Sequence, residues 1–185
     1  MSITLIIIVV IVAIAAAVLI GLYNGLVRKR ILTQEAWSQI DVQLKRRYDL
    51  IPNLVETVKG YAAHEKGTLE AVIAARNAAS SATGVAEKAQ AENMLTGALR
   101  QIFALSEAYP NLKANENFQQ LQEEISHTEN NIAFARQHYN DSAAIYNGAV
   151  QTFPSNMIAG MFGFAAREYF ELEASGEREA PKVKF

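Results

Sequence analysis

The chain has 185 residues, of which half are hydrophobic, with 17 basic and 19 acidic residues and no cysteine. The lack of cysteine excludes disulfide bonds and cysteine-based metal sites. The net charge of −2 hides an asymmetry, because the chain is basic up to Arg47 and acidic after it. An acidic body argues against nucleic-acid binding, which needs a basic surface along the binding face.

The N-terminal segment, residues 3–23, is an apolar run interrupted only by Thr4. As a helix rising ~1.5 Å per residue, it spans roughly 31 Å, which matches the hydrocarbon core of a bilayer. The run is longer than the core of a signal peptide, and no Lys or Arg precedes it. A buried helix of a soluble protein would need a polar face, which this segment lacks. We therefore predict an uncleaved transmembrane anchor over residues 1–24.

The charges that flank the anchor predict its orientation. Arg28, Lys29 and Arg30 follow the apolar run, and no basic residue precedes it. Because positive flanks mark the cytoplasmic side, we expect a short external N-terminus and a body in the cytoplasm. Tyr23 is expected at the membrane interface. There the basic triad either only fixes the topology or also binds anionic lipid headgroups.

Two apolar seams predict long helices. Their spacing of three and four residues is typical of helices that pack at shallow angles in bundles. The first seam contains Trp37, Ile40, Leu44, Ile51, Leu54 or Val55, and Val58; the second contains Phe118, Leu121, Ile125, Thr128, Ile132, Ala135, Tyr139, Ala143, Tyr146, Val150 and Phe153. Strand patterns are missing from the sequence. We predict an all-α fold: a transmembrane helix followed by an antiparallel bundle of three or four long helices, the bundle covering residues 25–153.

Pro52 lies within the first seam and decides the predicted number of helices. The apolar pattern resumes at once and continues to about Ala79, so a kink is favoured over a reversal. Asp49 can cap a new helix and keeps the reversal open. A reversal would give four helices and return the C-terminal apolar segment to the bilayer. A kink would give three and leave that segment far from it. Further breaks are expected near Gly84 and Pro110.

Residues 154–185 combine an apolar, glycine-rich segment with an acidic tail. No charge lies between Asp141 and Arg167, yet the segment is too short and too polar for a second span. Because such a patch should not stand free in water, it is expected to fold onto the bundle, bury against a neighbouring copy or enter the membrane surface. The residues predicted to pack in this way are Phe153, Met157, Met161, Phe162 and Phe164.

The sequence contains no recognisable catalytic or metal-binding constellation. Glu124 and His127 have Glu-x-x-His spacing, but a di-iron bundle needs that motif twice, with carboxylates from two further helices. Neither of the other two histidines has a glutamate three residues before it. We predict no catalytic residue, no metal ligand and no cofactor. The polar pairs Tyr139–Asn140 and Tyr146–Asn147 are expected to form buried hydrogen bonds that fix helix register.

Several strings go beyond generic helix content. Residues 36–55, AWSQIDVQLKRRYDLIPNLV, resemble the signature block of the LemA family of bacterial membrane proteins, as do residues 107–114, 153–156, 162–164 and 181–185. The resemblance covers nearly the whole chain after Tyr23. It implies a single N-terminal span with a small external end, in the cytoplasmic (inner) membrane, and a cytoplasmic helical bundle. It implies no established enzymatic activity.

Two functions are compatible with these patterns. The seams and the uncharged segment favour a non-enzymatic, membrane-anchored scaffold of the bacterial envelope that self-associates or recruits partners through helix faces. The alternative is a stoichiometric accessory or sensor subunit of a membrane enzyme or transporter. The expected partners are the lipid bilayer and further copies of the chain, with a membrane protein in the second case and no nucleic acid in either.

Overall fold

The computed structural model describes residues 3–171, and helices make up most of this part of the chain. The helices are α1 (Ile3–Lys59), α2 (Lys66–Ser81), α3 (Val85–Ser106), α4 (Pro110–Lys113), α5 (Glu116–Gln151) and α6 (Ser155–Phe162). No strand occurs among the described residues, and the predicted all-α class is confirmed. The acidic end of the predicted tail, from residue 172 onward, lies outside them.

The described residues form two compact units. Residues 3–40 with 135–168 form the anchor unit, and residues 41–134 with 169–171 form the bundle unit. Both α1 and α5 contribute residues to each unit. The predicted domain boundaries at residues 24 and 153 stay predictions.

Helix α1 runs without interruption through Pro52 and ends at Lys59. The chain reverses after it, since the Tyr48 hydroxyl lies 3.2 Å from the carbonyl of Ala79 on α2. The Nε of Arg76 donates to the carbonyl of Tyr48 at 3.3 Å. A single helix through Pro52 was correctly favoured, but the predicted continuation of that helix to about Ala79 is wrong. Because the break falls directly after Lys59 rather than at Pro52, a fourth helix forms without a reversal at the proline.

The bundle unit is an antiparallel arrangement of four helical segments from α1, α2, α3 and α5. Gln43 accepts a hydrogen bond from Asn131 at 3.5 Å, and Arg46 pairs with Glu124 at 2.8 Å, so numbering rises along α1 as it falls along α5. Most residues of both predicted seams are buried. The core of this unit contains Leu44, Ile51, Leu54, Val58, Val72, Leu95, Leu99, Ile102, Leu112, Phe118, Ile125 and Ile132.

Local sequence signals set the helix ends in this unit. Gly84 has φ of +88°, a value that favours glycine, and it separates α2 from α3 as the predicted turn requires. Pro110 begins α4 after the end of α3. The Oδ1 of Asn115 accepts from the backbone N–H of Phe118 at 2.9 Å and caps α5.

In the anchor unit, the first part of α1 lies antiparallel to the last part of α5. The rings of Trp37 and Tyr139 meet edge-on with centroids 5.2 Å apart. One turn earlier on α1, the hydroxyl of Thr33 donates to the Ser142 carbonyl at 3.2 Å. The direction of α5 therefore brings its C-terminal end toward the apolar part of α1. That part is long and apolar enough to cross a membrane, and the chain buries none of it.

Candidate membrane-proximal site

Residues predicted separately as membrane-interface and packing residues meet in the anchor unit. The ring of Tyr23 lies edge-on to Phe162 and Phe164, with centroids 4.9 and 5.7 Å away. The Cζ of Arg30 lies 5.1 Å from the centroid of the Phe164 ring, within cation–π range. Since Tyr23 ends the apolar run, α6 lies beside the end of the predicted anchor. The expectation that a helix continuing through Pro52 leaves this segment far from that point is wrong.

The inward face of α6 packs onto the helices of the anchor unit. Ile158, Ala159 and Phe164 form a buried cluster with Leu26 of α1 and Tyr146 of α5. The partly buried side chains around this cluster are Leu22, Val27, Ala149 and Val150. The inward face of α6 is therefore buried against helices of the same chain.

The outward face of α6 and the turn before it are apolar and exposed. Phe153, Met157, Met161 and Phe162 keep 73%, 60%, 75% and 59% of their surfaces exposed. Met157 and Met161 are four residues apart and so share one face of the helix. We call these four residues the outward patch. Of the five predicted packing residues, only Phe164 is buried within the chain.

Hydrogen bonds at both ends of α6 hold the helix in place. Ser155 donates through its hydroxyl to the carbonyls of Ala149 and Thr152, at 2.6 and 2.9 Å. At the other end, Gly163 is left-handed with φ of +69°, and the N–H of Phe164 reaches back to the Ala159 carbonyl at 2.9 Å. This glycine-ended helix turns the chain so that Phe164 points back into the cluster.

The segment after α6 returns along α5 and is held there by two polar residues. The side chain of Asn147 donates to the carbonyl of Arg167 at 2.8 Å and accepts from its N–H at 2.7 Å. Tyr139 donates to the carbonyl of Glu168 at 2.8 Å, and burial raises the pKa of its phenol. These hydrogen bonds were expected to fix helix register. They instead hold a non-helical segment against α5, because its unpaired backbone groups need partners.

The basic residues after the anchor differ in their accessibility. Arg28 and Arg30 are exposed and Lys29 is partly so, which leaves this triad accessible at the level of α6. Arg46 instead pairs with Glu124, and Arg47 is buried. The triad, which lies next to the predicted anchor, therefore remains the candidate for contact with lipid headgroups.

A buried ion pair lies inside the bundle unit. Arg47 and Glu92, with side chains 3% and 2% exposed, approach to 3.6 Å between Nη1 and Oε2. The Tyr48 hydroxyl donates to the other oxygen of Glu92, and the Nη2 of Arg47 donates to Thr96 at 2.7 Å. The Nε of Arg47 and the Oε2 of Glu92 have no hydrogen-bond partner. This pair is therefore incompletely satisfied.

Burial dominates the protonation of this cluster. It raises the pKa of Glu92, although the hydrogen bond from Tyr48 and the charge of Arg47 act in the opposite direction. It also raises the pKa of Tyr48, and the neighbouring Glu92 adds to that shift. The phenol therefore stays protonated and able to donate throughout the physiological pH range.

A family model described as the LemA family matches residues 36–185. The chain belongs to the LemA family. Among its relatives is magnetosome protein MamQ of Magnetospirillum gryphiswaldense, 26% identical over 84% of this chain and 66% of that protein. Magnetosome protein MamQ 2 of Paramagnetospirillum magneticum is 27% identical over 87% and 69%. Protein LemA of Metamycoplasma hominis is 31% identical over 77% and 65%.

This LemA-family chain spans about two thirds of the length of the curated relatives it matches. None of their names describes a catalytic activity. The predicted family resemblance is confirmed, and the N-terminal apolar helix fits a membrane-associated protein.

Sequence reasoning missed the buried pair of this LemA-family chain, although a signal was present. The first seam has a seven-residue gap between Leu44 and Ile51, and Arg47 occupies the position in between. Glu92 lies three residues before Leu95, on the buried face of α3. Opposite charges at seam positions of two helices are typical of a buried ion pair. The charge pattern alone places Arg47 only in the basic N-terminal part of the chain.

The Glu-x-x-His spacing lies on the surface of α5. Glu124 is engaged by Arg46, and His127 lies 3.2 Å from the side chain of Asn131 through Nδ1. Within residues 3–171, no three His, Asp or Glu side chains group closely enough to hold a metal ion. In this structure, these two residues are therefore engaged with neighbours on the helix surface.

Proposed function

We propose that this chain is a non-enzymatic, membrane-anchored scaffold of the bacterial envelope that self-associates or recruits partners through helix faces. One observation carries the proposal: the large apolar side chains in the first 18 residues of α1 are 46% to 78% exposed, yet the same helix supplies the first segment of the bundle unit. Such an apolar surface needs a covering that the chain does not provide, and a bilayer of matching thickness supplies it. The relatives' names support the non-enzymatic reading.

In this proposal, residues 1–24 cross the inner membrane with the N-terminus outside, and residues 25–153 lie in the cytoplasm. The accessible triad Arg28, Lys29 and Arg30 supports this orientation, because Lys and Arg near a span are retained on the cytoplasmic side. The triad also lies close enough to the membrane to attract anionic lipids.

Self-association needs apolar contact points on the bundle unit. Val42, Met94 and Phe134 are large and more than half exposed, and Phe134 is the most exposed of the three at 73%. Aromatic side chains of this kind are enriched where proteins meet each other. Phe134 on α5 is therefore the position at which contact between copies is best tested.

Crosslinking in native membranes tests the scaffold against the alternative, an accessory subunit of a membrane enzyme or transporter. Because the chain has no cysteine, a Phe134→Cys variant carries one reactive thiol. Ser126→Cys, also exposed on α5, is the matched control. We expect a bismaleimide to give covalent dimers of the Phe134→Cys variant and few of the control.

Two outcomes would argue against self-association. One is a single adduct with a foreign protein, which would favour the accessory subunit. The other is a monomer at every concentration, both in crosslinking and in light scattering of the detergent-solubilised chain.

A further inference from the structure

The outward patch of α6 has a geometry that the anchor proposal does not explain by itself. We propose that α6 inserts this patch into the interfacial layer of the bilayer leaflet that the anchor leaves at Tyr23. The ligand of the patch is the glycerol and upper acyl-chain region of membrane lipid. The inference rests on the proposed anchor, since it takes the position of the bilayer from the apolar part of α1.

The height of α6 along α1 supports this assignment. The contacts that α6 and the following Phe164 make on α1 run from Tyr23, through Leu26, to Arg30. Seven residues of helix span about 10 Å, so α6 lies within that distance of the end of the apolar run. The headgroup region on each side of the hydrocarbon core is about 5–8 Å thick, and interfacial helices bury their apolar faces about 5–10 Å into this boundary. The distance of α6 from the end of the apolar run therefore matches the depth at which interfacial helices lie.

The composition of the patch fits lipid rather than water. The 25 residues between Asp141 and Arg167 contain no charge, so no side chain there resists entry into the headgroup boundary. Typical interfacial helices keep a charged face toward water. Here the opposite face of α6, with Ile158 and Ala159, is buried against α1 and α5, which makes a charged face unnecessary.

The direction of α5 extends the patch toward the span. Val150 packs against the same cluster as Leu22, which precedes Tyr23 in the apolar run. Phe153 follows Val150 by three residues and lies in the turn between the end of α5 at Gln151 and the start of α6. Its ring is 73% exposed. Phe162 of the patch contacts Tyr23 at the end of the apolar run. The patch is thus continuous with the apolar surface of the anchor, which is why lipid is favoured as the occupant over a second copy of the chain.

Depth-dependent quenching in vesicles tests the inference with the full chain. Because the chain lacks cysteine, three single-cysteine variants can each carry one bimane label. Met161→Cys probes the patch, Ile14→Cys probes the span, and Ser38→Cys is the aqueous control. Ser38 is exposed on α1 and lies fifteen residues past Tyr23, about 22 Å along the helix. The vesicles contain phosphatidylcholine and phosphatidylglycerol, with a quencher attached near the top of the acyl chain in one preparation and near its end in a second, which reports on position 14.

We expect the quencher to reduce the emission of the label at position 161 at least twofold more than that of the label at position 38. Quenching at 161 no greater than at 38, with position 14 quenched, would overturn the insertion of α6 and leave the anchor intact. Crosslinking between the cysteines of two unlabelled Met161→Cys chains, together with no lipid quenching of the label at position 161, would overturn it in favour of a second copy. Absence of quenching at position 14 would overturn the anchor and the proposed function together.

A charge-insertion variant gives a second, independent measurement. Met157→Asp with Met161→Asp places two carboxylates in exposed positions, so the fold is expected to persist. In a chain labelled at Phe153→Cys, we expect this change to reduce quenching at least twofold. Ile145→Asp, which adds a carboxylate to an exposed position on α5, is the matched control. Unchanged quenching in the double variant would count against insertion of the outward patch.

Discussion

The rings of Tyr23 and Phe162 meet edge-on, with centroids 4.9 Å apart and planes inclined by 61°. Tyr23 ends the apolar run of α1, and Phe162 is the last residue of α6. An edge-to-face pair of this kind contributes about 0.5–1.5 kcal/mol beyond the burial of its surface. The contact therefore fixes a C-terminal helix beside the end of the proposed span, which gives the uncharged C-terminal stretch a defined place.

The two phenylalanines near Tyr23 should respond differently to truncation. Phe164→Ser removes a ring that is 7% exposed and should destabilise the anchor unit by about 3 kcal/mol. Phe162→Ser removes a mostly exposed ring and should cost about 1 kcal/mol or less. Chemical unfolding of the detergent-solubilised chain, followed by the fluorescence of Trp37, its sole tryptophan, measures both. Equal losses of unfolding free energy in the two variants would contradict the burial of Phe164 in this cluster.

Gly163 ends α6 in a conformation that other residues adopt at a cost. Its φ is +69°, and an added Cβ would meet no atom within 4 Å, so Gly163→Ala should cost only the conformational term of about 1–2 kcal/mol. Gly160→Ala, inside α6 and equally free of clashes, should stabilise by about 1 kcal/mol. The same unfolding assay compares them. Opposite signs are expected, and a stabilising Gly163→Ala would contradict the left-handed helix end.

The stability of the bundle unit should fall more when one partner of the Arg47–Glu92 pair is replaced than when both are replaced. Arg47→Met leaves the Glu92 carboxyl buried without its cation and should destabilise the bundle unit by about 3 kcal/mol. Replacing both, as Arg47→Met with Glu92→Leu, should bring stability back to within about 1 kcal/mol of the wild type. Thermal unfolding followed by circular dichroism measures the difference. A double variant as unstable as the single one would show that the pair itself stabilises this core.

The raised pKa of Glu92 predicts a pH-dependent stability. The native state holds the proton of Glu92 more tightly than the unfolded chain does, because burial penalises the carboxylate. The stabilising contribution is therefore fully present below the unfolded pKa of about 4.3 and is lost as pH rises through the raised native pKa. In that window the wild type should lose up to about 1.4 kcal/mol per pH unit relative to Glu92→Gln. Unfolding free energies that stay parallel from pH 4 upward would contradict the shift.

Much of the helical architecture could be predicted from periodicity. The buried positions of α1 and α5 follow the three- and four-residue spacing, and residues such as Leu44 and Ile125 are fully buried where that spacing places them. The turn at Gly84 was predictable because glycine and small polar residues disfavour helix. The break after Lys59 was not, since only Gly60 marks it and the apolar pattern resumes at Leu69.

The site was harder to predict, because its residues come from opposite ends of the chain. Sequence patterns predicted Tyr23 at the membrane interface and Phe162 as a packing residue, but they did not predict that the two residues are in contact. That contact depends on where the chain reverses, and the predicted reversal depended on Pro52. The long packed helix α1 tolerates the amide hydrogen bond that Pro52 cannot make. The partition of the uncharged segment into a buried Phe164 and an exposed Met161 follows from the turn at Gly163, which periodicity does not reveal.

The membrane anchor is the central claim, and thiol accessibility in spheroplasts tests it most directly. Single-cysteine variants Ser2→Cys and Ser126→Cys place one thiol at the N-terminal end of the proposed span and one on the bundle unit, in a chain without other cysteines. With a membrane-impermeant maleimide, we expect position 2 to react in intact spheroplasts and position 126 only after lysis. Reaction of position 126 in intact spheroplasts, or recovery of the chain in the soluble fraction, would contradict the account.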